Sequence, residues 1–160
     1  MEAVRKAEPG DAHDLQALSA QCAQALSDQR GGPLLLAHHQ PPLSGLFGPE
    51  AFAALLADRT RLTMVGTIDS AVMGVALGRI ETLRDGDRLG QLDGCYVDPG
   101  ARSIGLGHLL VDALMAWFEG EGCLGVDGIA LPGDREGKNF FESAGFKARL
   151  LVMHRAIEPG

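Results

Sequence analysis

Val97-Asp98-Pro99-Gly100-Ala101-Arg102-Ser103-Ile104-Gly105-Leu106-Gly107-His108-Leu109-Leu110 is the stretch that decides the fold. Before it, Gln91 to Val97 reads as a strand. After it, His108 to Glu119 reads as a helix, because Leu110, Ala113, Leu114, Trp117 and Phe118 recur at helical spacing and make one apolar stripe. A glycine-rich turn therefore joins the end of a strand to the start of a helix. Such a turn offers free backbone N–H groups and the positive end of a helix dipole. That combination suits an anion, most often a phosphate. A side chain at Gly105 or Gly107 would hold the backbone away from a bound pyrophosphate. The glycines alone are equally consistent with a strand–turn–helix link that binds nothing.

Two phosphate motifs fit poorly. No Lys-Ser or Lys-Thr pair follows the glycines, as a P-loop requires, and Arg102 stands near the place of the first glycine of a dinucleotide fingerprint. A third pattern fits. Arg102-x-x-Gly105-x-Gly107, preceded by Val97-Asp98-Pro99, resembles the coenzyme A signature of the GNAT superfamily of N-acetyltransferases, with Ser103 at the usual glycine after the arginine. A second stretch, Asp134 to Phe146, resembles the family's Asn-x-x-Ala-x-x-Phe-Tyr-Glu-x-x-Gly-Phe. Phe140, Glu142, Gly145 and Phe146 match; Asp134 replaces Asn, Gly137 replaces Ala and Phe141 replaces Tyr.

The rest of the chain is read around these two stretches. Ala3 to Ala7 is a short strand candidate, broken by Pro9-Gly10-Asp11, with Asp11 able to cap a helix that runs to about Ser27. Gln29 to Pro49 is rich in Gly, Pro, His and Leu and reads as a long irregular segment of functional type. Pro49 opens a second helix to about Asp58. Leu62–Ile68 and Ala71–Glu81 are strands joined at Asp69-Ser70, and Leu89–Val97 returns after Arg84-Asp85-Gly86-Asp87. Val126 to Leu131 is another strand, Asp134 caps a helix from Arg135 to Ser143 that Gly145 ends, and Phe146 to Ile157 is a last strand. The order is β-α-α-β-β-β-α-β-α-β, which suits an α/β (α+β) domain. It is also the order of the GNAT family. The resemblance implies a mixed, mostly antiparallel central sheet of about six to seven strands with helices on both faces, as one domain spanning residues 1–160.

Composition narrows the partners. At 160 residues the chain can bury a full core. A net charge of −7 and the lack of a basic run argue against a nucleic-acid surface. No apolar run approaches the roughly 20 residues that span a bilayer, and Met1 to Lys6 does not read as a signal peptide. Cys22, Cys95 and Cys123 read as reduced thiols of a cytoplasmic protein. His38-His39 are read as loop residues, and no metal site is expected.

The resemblance also implies a chemistry: transfer of an acetyl group from acetyl-CoA to a primary amine of a small molecule or peptide, by direct attack in a ternary complex. The co-substrate would be held by Cys95, Tyr96, Val97, Arg102, Ser103, Ile104, Gly105, Leu106, Gly107, His108, Asp134 and Phe141. A backbone N–H within Cys95–Val97 would meet the carbonyl oxygen. Gly94 is read as a bulge that splays this strand from Val126–Leu131. An ammonium acceptor must lose a proton. Asp93 stands where many members carry a glutamate and is the first candidate base, against a plain ladder-end carboxylate; Glu81 is the second. Cys95 has no evident histidine partner as a nucleophile. Phe141 has no proton to give the leaving thiolate, so Tyr96, water, or no catalysis at all are the alternatives. The acidic balance favours a cationic acceptor, and a homodimer is admitted. The competing class is a non-catalytic acyl-CoA-binding or regulatory module on the same fold.

Overall fold

A computed structural model describes residues 1–38 and 45–159. The elements in chain order are β1 (Glu2–Lys6), α1 (Ala12–Ser27), α2 (Gly32–His38), α3 (Pro49–Ala57), β2 (Arg61–Ile68), β3 (Ala71–Thr82), β4 (Arg88–Val97), α4 (Leu106–Gly120), β5 (Cys123–Gly128) and α5 (Arg135–Ser143). The five strands form one sheet in the order β1-β2-β3-β4-β5. The first four are antiparallel, and β5 joins β4 in parallel across the α4 crossover. The fold class matches the expectation.

The sheet separates two apolar layers, because successive strand side chains point to opposite faces. Val65, Val75 and Leu77 face α1 and α3, where Leu15, Leu18, Cys22, Phe52 and Leu55 meet them. Met64, Ala76 and Leu92 face α4, which brings down Leu106, Leu110, Val111, Leu114 and Phe118. The stripe read from the sequence is this second layer. The β2–β3 hairpin turns at Asp69-Ser70, both left-handed (φ 47° and 73°), the backbone that a two-residue hairpin turn of matching twist requires.

Several boundaries differ from the expectation. Phe146 to Ile157 is not a strand: from Phe146 to Pro159 no regular structure forms, and among the described residues the sheet has five strands rather than six or seven. The apolar content of Leu150–Met153 describes what a strand there would bury, not that it finds a place in this sheet. Within Gln29–Pro49, read as irregular, a helix, α2, forms, because Pro33 falls in its first turn, where a missing N–H costs nothing. His39 lies outside the described residues. The strand placed at Val126–Leu131 begins and ends earlier, as β5. Asp11 does not cap α1 through its side chain. Its carboxylate instead accepts from Arg5 at 2.7 and 2.8 Å and from the Glu8 amide at 2.8 Å, and the guanidinium holds it below the usual carboxylate range.

Candidate functional site

The site begins with a fault in the ladder. Leu77 pairs with Gly94 and Gly78 with Leu92, so Asp93 is an extra residue on β4. This is a β-bulge at the place where one was read. The pairing of β4 with β5 reaches only to Leu92 opposite Gly128. From Asp93 on, β4 stays on β3 but leaves β5, and its β5-facing edge has no strand partner among the described residues. The parallel pair ends there, because β5 itself stops at Gly128.

The chain then turns through a short 3-10 helix, Pro99–Ile104. The Asp98 carboxylate accepts from the Gly100 amide at 2.8 Å. Gly105 is left-handed (φ 84°) and no other atom lies within 4 Å of where its Cβ would be. An L side chain there would be strained and would stand in open space at the turn. α4 starts immediately after, with no side-chain cap. The first-turn amides of Leu106, Gly107 and His108 have no intrahelical acceptor by helix geometry, and the first turn carries no acidic residue. Gly107 has a further reason beside the one read in the sequence: a Cβ would meet the Phe140 ring at 3.1 Å, so this glycine also serves the packing of α5 on α4.

Other residues of the turn point inward. Leu106 is buried under the sheet face, while Ile104 is exposed. The Arg102 guanidinium folds back: its Nε donates to the Val97 carbonyl at 3.0 Å, its carbon sits 5.2 Å from the Tyr96 ring centre, and one terminal nitrogen is 4.0 Å from Glu136. It locks the end of β4 to the turn. Ser103 lies within the 3-10 helix. The His108 ring bonds Ser143 at 2.8 Å and meets Phe140 edge-on, tying α4 to α5.

α5 forms the far wall. Asp134 caps it, accepting from the Gly137 amide at 2.9 Å. Asp134 also lines a cleft of about 430 Å³ with Gln29, Arg30, Gly133, Arg135 and Glu136, where the α1–α2 corner faces the start of α5. The Phe141 ring covers Gly128, the last paired residue of β5, and stacks edge-on with Phe140 and Phe146.

The candidate bases share the sheet face of α1 and α3. The Asp93 carboxylate is 8% exposed; it accepts from Arg79 at 3.0 and 3.3 Å and lies 4.0 Å from Arg61. Burial raises its pKa above the ordinary value, and Arg79 then Arg61 pull against that. Glu81 is half exposed, accepts from Gln91 at 3.1 Å and stands 3.9 Å from Arg79. Arg61 and Arg79 escaped the sequence reading because only the register sets them opposite each other and beside the bulge. The Tyr96 hydroxyl is 3.5 Å from the Gln21 side-chain oxygen. Burial pushes the Cys95 thiol up to about 12 and the Cys22 thiol up to about 11, so neither is a ready thiolate. Among the described residues no group of three His, Cys, Asp or Glu is placed to hold a metal ion, and no helix is long and apolar enough to cross a membrane.

Comparison with known proteins gives this geometry a context. The sequence model of the acetyltransferase (GNAT) family matches residues 33–146. No curated relative matches the sequence. Among solved structures, the BH1408 protein of Bacillus halodurans, as a tetramutant, is 15% identical with a TM-score of 0.77, over 97% of this chain and 99% of that one. A ribosomal-protein-alanine N-acetyltransferase of Brucella melitensis is 20% identical with a TM-score of 0.67, over the whole of both chains. An aminoglycoside acetyltransferase from an uncultured soil metagenomic sample, in complex with sisomicin, is 15% identical with a TM-score of 0.72, over 99% of this chain and 97% of that one. At these identities the likeness is one of fold.

Proposed function

The chain belongs to the GNAT acetyltransferase family, and on that premise we propose that it moves an acetyl group from acetyl-CoA to a primary amine of a small molecule or peptide. One observation carries the reading: an uncapped helix start behind a left-handed glycine stands beside the place where β4 leaves β5. A diphosphate fits the first, and the unpaired edge of β4 suits an extended thioester arm. The residues that would hold the co-substrate are the amides of Gly105 to His108 and the free edge of Cys95–Val97, with Asp134 and Phe141 at the far wall. The co-substrate supplies the acyl thioester; the chain supplies position and charge.

Positioning two reactants side by side is worth several kcal/mol of barrier. A backbone N–H of Cys95–Val97 on the unpaired edge serves as the donor to the carbonyl oxygen. Asp93 serves as the base that takes the acceptor's proton; burial raises its pKa, which suits a group that must hold a proton, and the Arg79 guanidinium pulls against that rise. Glu81 is the next base outward. Tyr96 serves as a proton donor in place of the hydroxyl that Phe141 lacks. The acceptor is small or a peptide end and carries positive charge in solution, in keeping with a chain of net charge −7. The cytoplasm, where acetyl-CoA is made and used, is the proposed compartment.

The test is thiol release from acetyl-CoA across an amine panel, paired with calorimetry of acetyl-CoA binding. Binding with turnover supports the reading. Asp93→Asn should cut the rate by about 10²–10⁴-fold, the usual worth of a general base. The cut should be largest at low pH, where the amine arrives protonated, and acetyl-CoA affinity should stay nearly unchanged. Because burial raises Asp93, the parent's acid limb should lie above the ordinary carboxylate range. Overlapping pH–rate profiles would move the base to Glu81. The second reading, a non-catalytic acyl-CoA-binding module, rests on Phe141, whose ring is packed where a proton donor was expected. Tight binding with no turnover on any amine would favour it.

A further inference from the structure

We propose that the acceptor is a free amino acid, its α-amine meeting Asp93 and its carboxylate held by Arg61. The inference rests on the acetyl-transfer reading of this site and narrows its acceptor to one class.

The charges around the bulge come from neighbouring strands. Arg61 on β2 is the ladder partner of Arg79 on β3, and Gln91 on β4 is the next residue across. Paired residues share a sheet face, so these three stand together, with Glu81 two residues beyond Arg79 on the same face. Asp93 meets both guanidiniums.

The two guanidiniums are not equivalent. Arg79 is engaged within the chain: Nε and one terminal nitrogen donate to Asp93 at 3.0 and 3.3 Å, and the other terminal nitrogen is 3.9 Å from Glu81. Arg61 is not engaged in this way. Among the described residues its side chain makes no hydrogen bond, and its ion partner, Asp93, lies at 4.0 Å, beyond hydrogen-bond reach. Asp58, the nearest acid along the chain, turns its carboxylate to Thr60 instead, at 2.7 and 2.9 Å. Yet the Arg61 side chain is only 21% exposed. A guanidinium stays charged and carries five donors in a fork that matches a carboxylate. One held largely out of water with those donors unused is prepared for an anion from outside the chain.

The position decides what else that anion must carry. Asp93 has to receive the acceptor's proton, and a bare ammonium ion approaching it meets two groups of its own sign. An ammonium that brings a carboxylate answers both charges at once. Because Arg61 and Asp93 are 4.0 Å apart, the two ligand charges must also be close together. In an α-amino acid a single carbon holds both. A simple amine has no carboxylate, and a long peptide carries its terminal one too far from its amine.

The experiment uses the full chain and paired probes: common amino acids, each beside its α-carboxamide, which keeps the amine and the shape and removes the charge. Titration calorimetry with coenzyme A present reads affinity without turnover, and thiol release from acetyl-CoA reads kcat/KM. At least one acid should bind about tenfold to a hundredfold tighter than its carboxamide, the range of hydrogen bonds to charged groups. Arg61→Gln should bring that ratio near one, and Arg61→Lys should keep part of it through its charge. The ratio decides because a loosened β2 or a disturbed Asp93 weakens both members of a pair alike. A parent ratio near one, a ratio that survives Arg61→Gln, or no binding by any acid overturns the proposal; thiol release with other amines would then leave acetyl transfer standing. If no amine releases thiol, the acetyl-transfer reading fails, and the titration still decides whether Arg61 holds a carboxylate.

Discussion

Two helices start where two neighbouring parallel strands end, and they start differently. After β5, α5 closes its own first turn: the Asp134 carboxylate takes the Gly137 amide, and Glu136 adds negative charge at the positive end of the dipole. After β4, α4 does neither: Gly105 offers no side chain, and Leu106-Gly107-His108 carries no acid. One terminus is satisfied from within the chain. The other keeps its donors and its dipole for something outside it. Lying side by side, they would divide the work under the proposed function, α4 receiving an anion and α5 bracing the wall.

Replacing Gly105 attacks this difference at its source and should have the largest effect. Gly105→Leu forces a left-handed leucine, at about 1–2 kcal/mol, and puts a bulky group over the open amides. Losing two hydrogen bonds to a charged phosphate group, each worth about 1.5–3 kcal/mol, lowers acetyl-CoA affinity by roughly 10²-fold or more. Calorimetry reads the affinity and thermal melting reads the strain. Gly105→Ala carries the same strain with little bulk, so it should melt like the leucine variant and still bind. Unchanged affinity in Gly105→Leu would place the pyrophosphate elsewhere.

The wall side predicts a loss of stability rather than of binding. A Cβ on Gly128 would lie 2.4 Å from the Phe141 ring, an overlap that a shift of that ring or of α5 must relieve. Gly128→Val should therefore cost about 1–3 kcal/mol in chemical denaturation. Both proteins saturated with acetyl-CoA should show the gap narrowed if α5 borders the bound co-substrate.

Asp134→Ala is milder. Losing a side-chain cap costs about 1 kcal/mol, measured as a lower denaturation midpoint. Asp134 also lines the cleft with Arg30 and Arg135, so a drop in acetyl-CoA affinity, expected to be under tenfold, would show that the cleft belongs to the co-substrate. No drop would make the cap purely structural and sharpen the contrast with α4.

What could be read from the sequence follows the same division. The turn at Gly105 was legible because a conformation that only glycine takes freely leaves its mark in the sequence, and α4 because five apolar residues kept helical spacing. The bulge was legible through Gly94, although the inserted residue is Asp93. The ion pair of Asp93 with Arg79 was not, since residues 14 apart meet only once the register is set. The packing role of Gly107 was not legible because Phe140, which needs the space, lies 33 residues on. The last strand was misread for a further reason. Periodicity tells what a segment would bury but not where the covering surface is, and for Leu150–Met153 it is not in this chain's own sheet.

The smallest change is Phe141→Tyr. Cε1 and Cζ are among the Phe141 ring atoms nearest to Gly128, so the para position lies by the end of β5, where its pairing with β4 stops. A hydroxyl added there arrives beside the end of the β4–β5 pairing, where under the proposed function the leaving thiolate would take its proton. A coenzyme A thiol leaves fairly well unaided, so the gain should be well below the 10²–10⁴-fold of a full acid–base contribution; about threefold to tenfold in kcat is expected. Stability should change by less than about 1 kcal/mol, as the ring keeps its edge contacts with Phe140 and Phe146. Tyr96→Phe in the parent should lower the rate, and in the Phe141→Tyr background it should lower it less, because the two hydroxyls serve one proton. Equal losses in both backgrounds would separate Tyr96 from proton transfer and leave it the role of a platform under Arg102.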